Sequence, residues 1–157
     1  MPVHVTSEIG RLRRVLVHTP GDELLAVTPS TKEDFLYDDI IDVETACREH
    51  RRFVAILERF AEVHQVRDVL VEALASAEAR ELLARETLDV VPSEPLAREI
   101  EALDPRTLAH RLIEGVAEAP GPLARTLNEV SYTLPPMPNL FFTRDAAMCV
   151  GEHVLIG

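Results

Sequence analysis

Apolar and polar positions keep a different rhythm in each part of the chain, and each rhythm predicts a different kind of element. Val15-Leu16-Val17, inside Arg13 to His18, is a short apolar run closed by Thr19-Pro20-Gly21. Proline has no N–H to add to a ladder and glycine favours a bend, so this reads as a buried strand and a turn. From about Asp42 to Val63, the residues Val43, Ala46, Cys47, Phe53, Val54, Leu57, Phe60 and Ala61 recur at spacings of three and four, with charges between them. That period predicts an amphipathic helix of about six turns. Asp38 or Asp39 stands where a cap is expected, and Asp42 and Glu44 suit the positive end of the helix. Val66 to Leu70 then reads as a second strand.

From Val71 to Leu127 the chain turns rich in Ala, Leu, Glu and Arg. Helices are predicted over Ala73 to Arg85, Pro95 to Leu103 and Pro105 to Glu118, with breaks at Val90-Val91-Pro92-Ser93 and Ala119-Pro120-Gly121-Pro122. Ser93 and Asp104 occupy capping positions, and Pro105 suits a first helical turn. Beyond Ser131, Leu134 to Pro138 must be extended, Phe141-Phe142-Thr143 and Ala146 to Val150 read as strand, and Gly151-Glu152-His153 turns the chain into Val154-Leu155-Ile156. The expected fold is α/β with a small inserted helical bundle: residues 1–70 form a first α/β segment, 71–130 the helical insertion, and 131–157 the start of further strands. Because the chain stops at Gly157 directly after a strand, a cut through a larger fold is expected.

Composition narrows the function classes. With 46% apolar and 27% charged residues, 157 residues suffice for a folded core. A net charge of −11, with Lys32 the only lysine among 16 basic side chains, argues against nucleic acid and against an anionic membrane surface. No apolar run approaches the roughly 20 residues that span a bilayer, and the N-terminus lacks a secretory pattern, so a cytoplasmic location is expected. Cys47 and Cys149 form no CxxC pair, and the six histidines show no zinc spacing. No metal and no cofactor is expected.

The chemistry-bearing segment is Pro138-Asn139-Leu140-Phe141-Phe142-Thr143-Arg144-Asp145. A carboxylate beside an aromatic wall suits a planar cation: Asp145 can accept paired N–H bonds from a guanidinium while Phe142 covers its face, with Asn139 adding a neutral polar contact. The alternative is a turn-level Arg144–Asp145 ion pair over core phenylalanines. Elsewhere, Cys149 reads as a buried strand cysteine, Cys47 as helix core, His50 as a packed or half-buried histidine, and His18 as a surface or turn residue.

Pro138 to Asp145 is similar to the substrate-binding motif of arginine deiminases, P-N-x-x-F-T-R-D. Ser7 to Gly21 resembles the opening strand and turn of that family, and Leu36-Tyr37-Asp38-Asp39-Ile40 resembles its L-[FY]-D-D segment, in the same order. The resemblance implies ββαβ units of the pentein type arranged as an α/β propeller, with a helical module inserted. It implies Asp145 as the catalytic carboxylate that holds the guanidinium, Asn139 and Phe142 as pocket lining, and Leu36 as part of a segment covering bound L-arginine. The implied reaction hydrolyses L-arginine to L-citrulline and ammonia through a cysteine thiolate. The family's nucleophile, histidine and second acidic set lie further along than this chain reaches, so the remainder of the propeller is an expected partner, as is a homo-oligomer. Other guanidine-modifying enzymes, of amidinotransferase or dimethylarginine hydrolase type, and a non-catalytic arginine-binding domain remain as alternatives.

Overall fold

The structure, a computed structural model, describes residues 3–119 and 130–156. Strand β1 (Arg14–Val17) pairs in parallel with β2 (Glu62–Gln65), in the register Arg14 to Glu62 through Val17 to Gln65. The crossover between them is helix α1 (Val43–Leu57). A one-turn 3-10 helix, Asp22–Ala26, precedes it. The Asp42 carboxylate caps α1 by accepting from Thr45 N at 2.8 Å, so the cap lies at Asp42 and not at Asp38 or Asp39. The helix is also shorter than its period predicts. Glu62 N bonds to Arg13 O at 2.9 Å, and the parallel partner claims residues 62 to 65 for the sheet.

The expected strand at Val66 to Leu70 is instead helix α2 (Val66–Ala73). Leu70 and Leu74, four apart, both turn toward a helical core, which a strand would not allow. Helices α3 (Ala77–Val90), α4 (Glu94–Ala102) and α5 (Pro105–Glu114) follow, with α3 displaced toward the C-terminus relative to the predicted helix. Ser93 caps α4, accepting from Leu96 N, while Asp104 caps α5, accepting from Arg106 N and Thr107 N, with Pro105 in its first turn. Leu74, Leu96, Ile100, Leu108, Ala109, Leu112 and Leu134 form the buried cluster between these helices. One guanidinium holds helix ends together: Arg80 donates to Leu74 O at 2.7 Å, Ile100 O at 3.1 Å and Leu103 O at 2.8 Å.

Helix α5 stops four residues earlier than predicted, at a glycine that is required there. Gly115 has φ of 78°, and a Cβ on it would lie 2.6 Å from Leu134 O. Strand β3 (Val116–Ala117) then pairs antiparallel with β4 (Tyr132–Leu134). The predicted break at Pro120 to Pro122 lies outside the described residues.

Phe141 to Thr143 is not a strand. Pro138–Phe141 forms a 3-10 turn and Thr143–Ala146 a single helical turn, α6. Amides here close locally, Leu140 N on Met137 O at 3.1 Å and Phe142 N on Asn139 O at 3.0 Å, and so do not enter a ladder. The expected hairpin follows as β5 (Ala147–Val150) and β6 (His153–Ile156). Its turn at Gly151 is bridged to Val5. Among the described residues the sheets are these three two-stranded pairs, a mixed α/β arrangement.

Candidate functional site

The segment Pro138 to Asp145 is fastened at the C-terminal end of β1, the edge where open α/β sheets tend to bind ligands. Thr143 Oγ1 donates to Leu16 O at 3.1 Å, and Met137 N donates to Ile113 O, at the end of α5, at 2.9 Å. Phe141 and Phe142 pack against each other at a 38° tilt with ring centroids 4.0 Å apart, and Tyr37 approaches Phe141 at 6.5 Å. Together these rings form an aromatic wall with Phe142 half-exposed.

Asp145 stands one helical turn beyond that wall, with its backbone N–H on Phe142 O at 3.0 Å. Its side chain is exposed. Among the described residues its carboxylate has no hydrogen-bond or ion-pair partner. The turn-level Arg144–Asp145 pair does not form, because Arg144 reaches Glu8 at 2.6 Å instead.

Asn139 is tied by its side chain, Nδ2 donating to Phe35 O at 3.0 Å, and Tyr37 OH donates to Pro138 O at 2.8 Å. Between Phe35 and Tyr37 sits Leu36, 90% exposed, with φ of 62°. A non-glycine residue held in the left-handed region costs on the order of 1–3 kcal/mol. The structure therefore brings the Leu36 loop onto Asn139, with Phe142 and Asp145 on the turns that follow.

Sequence reasoning missed a buried hydrogen-bonded pair, His18 and Glu23. His18 and Glu23 are each 1% exposed, with His18 Nε2 2.8 Å from Glu23 Oε1, so His18 is not a surface residue. Gly21 N donates to the same oxygen at 2.7 Å, and Arg67 lies 3.9 Å from the other. Burial alone would push the Glu23 carboxyl up; hydrogen bonds from His18 and from the amides of Glu23 and Gly21 outweigh it and hold it below the usual range. The spacing His-x-x-Gly-x-Glu around a proline–glycine turn is the only sequence signal that could have pointed to it. Arg67 also reaches Glu114 at 3.3 Å, and His110 lies 3.1 Å from Glu114, whose carboxyl is pushed up by burial against the lowering influence of His110 and Arg67.

His50 is half-buried beside Phe53, and its pKa is lowered by burial and by the nearby His18. It lines a largely apolar cleft of about 480 Å³ with Leu24, Phe53 and Phe141. Cys47 is engaged, donating from Sγ to Pro20 O at 2.8 Å, while Cys149 lies only partly buried in β5 opposite Val154. Among the described residues no group of three His, Cys, Asp or Glu side chains is placed to hold a metal ion, and no helix is long and apolar enough to cross a membrane.

Residues 33–157 match the family model described as arginine deiminase. Curated proteins named arginine deiminase align with nearly the whole chain. The Treponema denticola protein is 37% identical over 97% of this chain and 41% of its own length. That of Metamycoplasma arthritidis is 37% identical over 98% and 40%, and that of Rhodococcus erythropolis 34% over 99% and 42%. The chain thus spans about two-fifths of the length of these relatives.

Proposed function

Because the chain belongs to the arginine deiminase family, we propose that it contributes the guanidinium-recognising part of a site that hydrolyses L-arginine to L-citrulline and ammonia. The observation that carries this reading is the exposed carboxylate of Asp145, left unpaired among the described residues beside the tilted Phe141–Phe142 ring pair. A guanidinium presents paired N–H donors and a flat cationic face. Asp145 accepts the donors, Phe142 covers the face, and Asn139 offers an acceptor, since its Nδ2 is already committed to Phe35 O. Leu36, projecting from its pinned loop, covers the bound substrate.

Resonance makes the guanidinium carbon a poor electrophile, so the carboxylate grip must be joined by a thiolate that attacks the carbon and a histidine that protonates departing ammonia. In this reading neither Cys47 nor Cys149 is that thiolate. Cys47 is bonded to a backbone carbonyl and Cys149 is paired into a hairpin. The thiolate, the histidine and further acids come from the rest of a pentein-type propeller, in which residues 71–130 are a helical insertion between 1–70 and 131–157. Two features support a larger assembly. Parallel sheets are normally covered on both faces and two strands alone are marginal, yet β1–β2 is a two-stranded parallel pair. On β6, Ile156 is 83% exposed. The same reading places the enzyme in the cytoplasm as a homo-oligomer.

The test is kinetic. In the intact protein, Asp145→Ala is expected to lower kcat/KM for arginine by about 100-fold or more, since two charge-assisted hydrogen bonds are lost. Near-normal turnover in that variant rejects the assignment. Running agmatine and methylated arginine beside arginine separates this activity from the related guanidine chemistries.

A further inference from the structure

Two hydrogen bonds flank Leu36 and run to one distant segment. Before it, Phe35 O accepts from Asn139; after it, the Tyr37 hydroxyl donates to Pro138 O. The paired residues are 104 and 101 positions apart in sequence, so this is a tertiary clamp and not a local turn. Local bonds close the loop from the other side, Leu36 N on Glu33 O at 3.1 Å and Tyr37 N on Lys32 O at 2.8 Å. Residue 36 therefore stays in a left-handed conformation that leucine disfavours, because its surroundings over-determine it. The Tyr37 hydroxyl is pushed up to about 12, by burial first and then by the negative charge of Glu23, so it remains a donor at any ordinary pH.

We propose that the Tyr37 hydroxyl is a positioning group for the arginine site, which with Asn139 clamps both sides of Leu36 to the Pro138–Phe142 arm so that the covering loop and the guanidinium-binding arm move as one body. The proposal rests on the arginine-site reading above. It assigns the hydroxyl a task separate from that of the ring: phenylalanine at position 37 keeps the packing on Phe141 and loses the clamp.

The variant to make is Tyr37→Phe in the intact protein. Loss of one hydrogen bond is expected to raise the arginine Kd and KM about fivefold while kcat stays within about twofold. The Tm should fall by no more than about 4 °C. With or without arginine, the Asn139 side-chain amide protons should exchange with solvent faster than in the native protein, because the other half of the clamp loosens. Unchanged Asn139 exchange overturns the proposal. So does a drop in kcat and Tm with native KM, which would make Tyr37 merely structural. Asp145→Ala keeps the two readings apart: if it still binds arginine, the site assignment itself fails, whereas if it abolishes binding and Tyr37→Phe behaves as native, only the clamp fails.

Discussion

Glu23 keeps its charge where almost no solvent reaches. Its folded pKa lies below the 4.5 of the free side chain, so as pH falls the unfolded chain takes up that proton first. The stability it supplies is fully present above about 4.5 and is lost as pH drops through the folded value. Glu23→Gln is therefore expected to be less stable than the native protein near neutrality, with the gap closing in acid. Urea midpoints collected from about pH 7 down to about pH 3 check this, and a gap of constant size counts against it. At this scale the motif marked Asn139, Phe142 and Asp145 as candidates, and the structure sets them on adjoining turns. The burial of His18 was not. A histidine after a strand and before a Pro-Gly turn looks solvent-facing until Glu23, five residues on, folds back to meet it.

Helix starts were legible at Ser93 and Asp104, which stand where the spacing predicts, but not at α3, whose cap is Ser76. Helix α1 had several nearby aspartates to choose from, and the choice depends on backbone conformation rather than residue type. Asp42→Ala is expected to lower the denaturant midpoint by removing the bond to Thr45 N, whereas Asp38→Ala and Asp39→Ala leave it nearly unchanged. Denaturant midpoints of the three variants decide the ranking, and equal losses would refute it. The exchange of strand for helix at Val66 to Leu70 has a different origin. A short apolar run fits both periods, and only the register with β1, nearly 50 residues earlier, assigns residues 62 to 65 to the sheet and releases the next turn to pack on the helical core.

Over these 157 residues, acidic side chains outnumber basic ones by 27 to 16. For the proposed arginine site, such a field would draw in the cationic substrate and be screened by salt. Raising ionic strength from about 0.01 M to about 0.5 M is expected to increase the arginine KM several-fold with little change in kcat. A KM indifferent to salt would mean that only the local carboxylate grip matters. The mixed α/β character was legible from alternating rhythms along the chain, while the way distant parts meet was not. Nothing in a linear reading places Phe35 and Tyr37 against Asn139 and Pro138. Arg80 is a further long-range tie with its own consequence. Its planar cation closes the last carbonyls of both α2 and α4, so neither helix end can fray without unseating the stopper of the other, and their amides should lose protection from deuterium in step.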